Sequence, residues 1–472
     1  MGTYGGSVTF SKILASSGDI ITATYTPDNG YVLASASIKD DDNNTVTLTG
    51  TGATKTFTMP SSHVTYYAVF KNVFDLQVTL TGSSLDSVTT TQHCADDQVL
   101  ITASPKSNYG FEGIYLDSVR ILEGISVDPT DGSVEYTLTM PAKDSEIEVV
   151  FTDFAGGSGT QSDPYRLYAA NQIKDLSTRV SPDNTNATTR NAFRTAYYQQ
   201  EQDIDGAGTT SMYPIGTSTV FSTHYSFAGK YDGKGYSVDG ITISKYGNTN
   251  SNLGLFGYTE SARIMNLSIG SNMVIGDGSA DQVGGIVGYA YNYTELLDVT
   301  NNADINGGSM VGGIVGKVSE TVSLMNVANN GNITGVEKVG GIVGNMIESI
   351  IYNAYNTGAI TATKNTSSYA GGITGYLNGS SLYVVYNVGT ITAPQYDDPI
   401  AGRNTFLNSQ TVYYALSSSG AESNGYNPAK GSSVTAIEYM NAGVTWMKTD
   451  YPNIADSMKY WGGTASAPVY VD

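Results

Sequence analysis

The sequence predicts an all-β protein. It reads as two small β-sandwich or β-grasp-like modules followed by a β-helix with three strands per coil, expected to be right-handed, with a cap at each end. Three observations predict this. Gly (54 residues) and Tyr (35) are in excess, which favours short strands and tight turns over helices. Two N-terminal stretches copy each other. A glycine-framed apolar motif then recurs at a nearly fixed interval, the signature of stacked repeats.

The N-terminal copies align through their turns and their last strands. The first carries Pro27-Asp-Asn-Gly-Tyr31, Thr56-Phe-Thr-Met-Pro60 and Val64-Thr-Tyr-Tyr-Ala-Val-Phe70. The second carries Pro105-Lys-Ser-Asn-Tyr-Gly-Phe111, Tyr136-Thr-Leu-Thr-Met-Pro141 and Ile147-Glu-Val-Val-Phe151. Val64, Tyr66, Ala68 and Phe70 alternate onto one face, as do Ile147, Val149 and Phe151. Pro-Asp-Asn-Gly is a turn in which Pro presets φ and Gly supplies the positive φ. The modules span residues 1–72 and 73–153.

Residues 154–250 read as the N-terminal cap. Ala169, Ile173 and Leu176 fall on one helical face and predict a single short helix there. The repeat array occupies 251–403. Its motif appears as Gly254-Leu-Phe-Gly257, Gly285-Ile-Val-Gly288, Gly313-Ile-Val-Gly316, Gly341-Ile-Val-Gly344, Gly372-Ile-Thr-Gly375 and, degenerate, Pro399-Ile-Ala-Gly402. A second pattern keeps step: Leu296-Leu-Asp-Val-Thr-Asn301 aligns with Leu324-Met-Asn-Val-Ala-Asn329, Ile351-Tyr-Asn-Ala-Tyr-Asn356 and Leu382-Tyr-Val-Val-Tyr-Asn387. Each unit of roughly 28 residues holds three apolar runs, one coil of five to six stacked at about 4.8 Å. Ile286, Ile314, Ile342 and Ile373 should stack in the core, with Ile305, Ile333, Ile360 and Ile391 in another column. Asn301, Asn329, Asn356 and Asn387 should form a ladder at a corner. Residues 404–472, with an amphipathic piece at Ala436-Ile-Glu-Tyr-Met440, read as the C-terminal cap.

These motifs resemble known families. Gly254-Leu-Phe-Gly257 and the Gly-Gly-Ile-Val-Gly repeats, with Gly159-Thr-Gln-Ser-Asp-Pro-Tyr-Arg-Leu167, Asp203-Ile-Asp205 and Phe227-Ala-Gly-Lys-Tyr-Asp-Gly-Lys-Gly235, resemble GLUG-motif proteins. Such repeats occur in bacterial surface proteins and beside the catalytic domains of immunoglobulin-A-cleaving metallopeptidases. Phe57-Thr-Met-Pro60 and Leu138-Thr-Met-Pro141 resemble internalin-type B repeats. The resemblance implies an exported bacterial cell-surface protein, an adhesin or ligand-binding stalk facing a host glycan or protein surface. It carries over no catalytic residue. It also implies that a signal peptide has been removed, because the N-terminus shows no basic region followed by an apolar core.

Several functions are disfavoured by residue content. A net charge of −20, from 43 acidic and 23 basic residues, opposes nucleic acid and anionic membrane surfaces as partners. No apolar run approaches the roughly 18–20 residues of a membrane span. The single cysteine, Cys94, can form no internal disulfide. Adjacent His93 and Cys94 would point to opposite faces of a strand. VGGIVGK (311–317) looks like a phosphate loop, but Val311 stands where the first Gly belongs and Val318 where Ser or Thr belongs. Lys317 then reads as a variable surface residue. The three histidines, His63, His93 and His224, include no His-Glu-x-x-His. No cofactor is expected. Structural calcium at Asp40-Asp-Asp42 or Asp203-x-Asp205 is the one metal to consider, although neither has an EF-hand pattern.

The enzymatic alternative is a glycosidase or lyase on the side wall, with Glu320 and Glu348 on adjacent coils as the acid–base pair. The binding candidates are tyrosines: Tyr289, Tyr291 and Tyr293 after one glycine motif, Tyr352 with Tyr383, and Tyr355 with Tyr386. Facing outward, they would form an aromatic strip suited to sugar rings or a protein surface. Facing inward, they would be ordinary core stacking. A purely structural spacer is the third reading.

Overall fold

The computed structural model describes residues 4–107, 109–217, 225–245, 252–276, 278–405, 412–417, 425–426, 436–464 and 467–471. His224 lies outside them. The chain divides into two compact units: 1–104 with 113–126 and 134–150, and 105–112 with 127–133 and 151–472. No helix among the described residues is long and apolar enough to cross a membrane.

The first unit is largely antiparallel. Gly6–Phe10, Ile20–Pro27 and Thr54–Thr58 form a three-stranded sheet. Ile21, Ile38 and Phe57 pack beneath it beside Ala23, Tyr25 and Phe70. The central element is the 18-residue strand Val64–Thr81. Its first half pairs antiparallel with Tyr31–Asp40. Its second half pairs antiparallel with Ser87–Cys94 and parallel with Ser145–Asp153. The boundary expected between residues 72 and 73 therefore falls inside a continuous strand. The expected alternation holds at Ile147 and Val149, which are buried, and in part in the first module, where Phe70 is buried, Val64 and Ala68 are partly buried and Tyr66 is exposed.

The second unit is the solenoid, about seven turns of parallel β-structure. One coil runs Met310–Gly312, Val315–Ser319, Ser323–Asn329, Ile333–Gly335. Each segment pairs in register with its counterparts before and after: Val315 with Val287 and Val343, Leu324 with Leu296 and Ile351, Ile333 with Ile305 and Ile360. The three apolar runs thus become four ladders, because the Gly-Gly corner splits the first run in two. Ile286, Ile314, Ile342 and Ile373 are fully buried, each contributing about 1.5–3 kcal/mol through burial.

The corner asparagines form the expected ladder. Asn301 Nδ2 donates to Asn329 Oδ1 (2.8 Å), Asn329 to Asn356 (2.7 Å) and Asn356 to Asn387 (2.8 Å). Each Nδ2 also donates to the carbonyl two residues on, so both amide protons of Asn301, Asn329 and Asn356 have acceptors.

The sequence reading missed a second column. Asn266, Asp298, Asn326, Asn353 and Val384 all have φ between 53° and 62°. Each sits mid-strand in the longest ladder and is skipped by the register. The left-handed residue turns the chain so that positions three apart, such as Leu296 and Val299, both face the core. That breaks the period-2 rule as a β-bulge does. Asn and Asp tolerate this conformation; Val does so at a cost.

The solenoid starts earlier and ends later than expected. Tyr165–Leu167, Tyr197–Gln200 and Lys230–Asp232 are already rungs of the long ladder, and 412–417 and 425–426 continue it. The core of the early rungs is aromatic: Phe154, Tyr165, Tyr198, Phe227 and Phe256 follow one another at 5.0–6.0 Å.

The predicted helix is Ala170–Val180, and a second, Ala187–Arg194, follows. The second is two turns long with two buried side chains, too short to show a helical period. It starts where Asn186 caps the Thr189 amide. Between the helices the Arg179 guanidinium lies 4.8 Å from the Phe154 ring and 4.6 Å from that of Phe193. It bonds Asp153 (2.9 Å) and Asp175 (2.5 Å). Burial pushes the Asp175 carboxyl up to about 6, with Arg179 opposing the shift. A carboxyl raised above its unfolded value of ~3.9 favours folding below that pH, and the contribution is lost as pH rises to about 6. The melting temperature of the native chain should therefore fall relative to Asp175→Asn between pH 4 and pH 7, by the equivalent of ~2 kcal/mol. A difference that does not change with pH would refute this.

Candidate binding surfaces of the coil

The outer face of the long ladder carries Tyr352, Tyr355, Tyr383 and Tyr386. Their neighbours Ile351, Ala354, Leu382 and Val385 fill the coil core, so the tyrosines point away from it. They are not free, however. The C-terminal segment lies over them: helix Ala436–Asp450 and the hairpin Tyr460–Thr464 with Ala467–Val471. Tyr355 (6 % exposed) and Tyr386 (2 %) join Met440, Val444, Met447 and Trp461 in a separate core, with Tyr352 and Tyr383 at its edge. Tyr352 stacks on Tyr383 at 5.4 Å, and burial pushes its hydroxyl up to about 12. The inward-or-outward choice thus has a third answer: outward from the coil, yet covered.

The left-handed asparagines dock this layer. Asn353 Oδ1 accepts from Trp461 Nε1 at 2.6 Å, and its Nδ2 donates to the Lys459 carbonyl. Asn326 donates to the Ser457 carbonyl and accepts from the Lys459 amide. The Tyr470 hydroxyl donates to the Asn353 carbonyl (2.7 Å). Val384, strained at φ 56°, is fully buried in the same layer. Residues 436–464 and 467–471 therefore form a side layer on the last coils.

Tyr289, Tyr291 and Tyr293 lie on another wall. Tyr293 is 66 % exposed at the turn before the long ladder. Tyr289 and Tyr291 belong to the strand Val287–Tyr291 and are half-buried. The register places Tyr258, Tyr289, Lys317, Asn345, Tyr376 and Arg403 in one column, one residue per coil. Tyr258 packs 5.2 Å from Tyr289. Lys317 Nζ lies over the Tyr289 ring at 4.4 Å, and Lys338 Nζ over Tyr376 at 4.7 Å. Tyr369 stacks on Tyr396 and accepts a hydrogen bond from Arg403. Lys317 is thus part of an aromatic–cation array that the sequence reading did not assemble. Asn345, 5 % exposed at its centre, has a buried Oδ1 with no hydrogen-bond partner.

Glu320 and Glu348 are exposed on successive left-handed turns (φ 60° and 46°) and linked through the Thr321 amide and the Glu348 carbonyl. Glu320 accepts a hydrogen bond from Tyr291, which pushes the Tyr291 hydroxyl upward.

The carboxylates considered for calcium hold backbone amides, Asp40 and Asp205 within local turns and Asp203 across to the next coil. Asp40 accepts from the Asp42 and Asn44 amides, Asp203 from Ser237, and Asp205 from the Ala207 amide. Among the described residues no group of three or more His, Cys, Asp or Glu side chains is placed to hold a metal ion.

Fold and surfaces together define a mostly-β repeat protein in which β-modules precede a parallel solenoid with decorated side walls. Residues 1–74 and 76–155 each match the divergent InlB B-repeat domain family. Halomucin from Haloquadratum walsbyi is 28 % identical over 163 residues, which is 33 % of this chain and 2 % of that protein. A putative Gly-rich membrane protein from Evansella cellulosilytica is 28 % identical over 149 residues, 31 % of this chain and 15 % of that protein. The chain thus spans a small part of the length of the relatives it matches.

Proposed function

We propose that this chain is a non-enzymatic, ligand-binding part of a bacterial cell-surface protein, an adhesin or display stalk of the GLUG-motif type. The observation that carries the reading is the column from Tyr258 to Arg403, in which Tyr289, Lys317 and Tyr376 are partly exposed and Arg403 is exposed, with Tyr291, Lys338 and Tyr396 beside it. Aromatic faces interleaved with cations at one residue per coil suit a host glycan or a protein surface. The B-repeat match and the names of the two relatives support a surface setting.

A glycan array read beside a polysaccharide turnover assay tests the proposal. Binding without turnover is expected. Tyr289→Ala with Tyr376→Ala should weaken binding at least tenfold while the far-ultraviolet dichroism stays unchanged. Product release that disappears in Glu320→Gln or Glu348→Gln would overturn the non-enzymatic reading in favour of a carbohydrate-active enzyme. Undiminished binding by the tyrosine variant would move the site off this wall.

A further inference from the structure

A cleft of about 230 Å³ opens on the long-ladder wall, on the early coils. Its floor is set by register. Tyr197, Lys230 and Arg263 occupy one column and Gln199, Asp232 and Met265 the next. Between them Tyr198, Tyr231 and Ile264 point into the core, so these two columns face outward. Gln161 and Pro164 complete the lining.

Two features of this cleft are unfavourable for a wall with no ligand. Lys230 and Arg263 sit directly opposite each other on adjacent strands, where like charges repel, although cations are scarce in a chain of net charge −20. Burial depresses the Lys230 ammonium below the ordinary lysine range, Glu295 partly restores it, and Arg263 lowers it again. The second feature is an incomplete set of partners. Arg263 Nε is buried with no hydrogen-bond partner, and its Glu295 contact is an ion pair at 3.6 Å. The carboxylate within the cleft is partly committed elsewhere: Asp232 Oδ1 accepts from the Lys234 amide and from Asn266 Nδ2.

We propose that this cleft binds an anionic glycan, with a carboxylate or sulfate held between Lys230 and Arg263. The anion relieves the opposed charges and gives Arg263 Nε an acceptor. Asp232 and the amides of Gln161 and Gln199 take sugar hydroxyls, and Tyr197 with Met265 offers the apolar side for a ring face. An acidic peptide fits less well, since the Gln161 and Gln199 amides and Asp232 match the many hydroxyls of a sugar, which such a peptide lacks. The site is separate from the Tyr258–Arg403 column and does not depend on it.

Isothermal titration calorimetry with three oligosaccharides of matched length tests this: an oligouronate, a sulfated oligosaccharide and a neutral one. At low ionic strength at least one anionic probe should bind at least tenfold tighter than the neutral probe, and the difference should shrink as salt rises. The better of the two identifies the group bound. Lys230→Gln with Arg263→Gln should remove the preference while leaving the melting temperature unchanged or raised, because the opposed charges are gone. Tyr197→Ala should weaken all three probes alike. Equal binding of the neutral probe, no binding by either anionic probe, or an anionic preference that survives the double variant would each overturn the proposal. Running the same titrations on Tyr289→Ala with Tyr376→Ala separates this cleft from the aromatic column.

Discussion

Gly358→Ala is expected to destabilise the coil more than any other single methyl addition in the repeats. A Cβ at 358 would lie 1.8 Å from the Gly331 carbonyl oxygen. The obstacle is backbone of the preceding coil, so no side-chain rotation relieves it. The same approach recurs at Gly331, 1.9 Å from the Ala303 oxygen, and at Gly389, 1.9 Å from the Gly358 oxygen. These glycines follow the corner asparagines by two residues, and their carbonyls accept the ladder bonds. Pushing the coils apart at 358 therefore strains the packing and lengthens the Asn329–Asn356–Asn387 bonds together. Overpacking alone costs about 1–3 kcal/mol, and a buried amide left without its partner adds about 1–3 kcal/mol. Urea unfolding followed by dichroism should show a loss of at least ~3 kcal/mol, or no soluble folded protein. A loss under ~1 kcal/mol would mean that the coils are less closely stacked at this corner than described.

The second large effect is expected at Trp461. Its ring is buried against Tyr355, Tyr386 and Tyr470 at 5.4–6.1 Å, and its Nε1 satisfies Asn353 Oδ1. Trp461→Ala removes the anchor of the side layer and leaves a buried acceptor bare, a cost of about 3–5 kcal/mol. The loss should be local, because the coil core is a separate cluster. Hydrogen exchange should rise sharply across 436–471 and at 352–356 and 383–387, while 286–288 and 314–316 keep their protection. Trypsin should then cut at Lys448 and Lys459 in the folded protein. Uniform loss of protection through every coil would show instead that the layer and the solenoid unfold as one.

The stacking was legible from the sequence for a mechanical reason. In-register parallel coils place like residues on like, so a constant interval names the columns directly, and the buried isoleucines and the Asn301–Asn387 ladder followed from it. The same intervals contained the Tyr258, Tyr289, Lys317, Asn345, Tyr376, Arg403 column. A pattern of tyrosines alone does not show it, because Lys317, Asn345 and Arg403 hold three of its six positions. Other features left no periodic trace. The left-handed column at Asn266, Asp298, Asn326, Asn353 and Val384 is invisible to a template that alternates strictly in and out. The cover over Tyr355 and Tyr386 depends on Trp461 and Met440, far along the chain. The early rungs were taken for a cap because Tyr198 and Phe227 fill the space that isoleucine fills later.

The strand Val64–Thr81 has a consequence of another kind. The two B-repeat matches meet at residue 75, yet one uninterrupted strand passes through that point and is flanked on both halves by partners. A load across residues 72–76 within this unit therefore falls on paired backbone, where hydrogen bonds to Tyr31–Asp40 on one side and Ser87–Cys94 on the other share it.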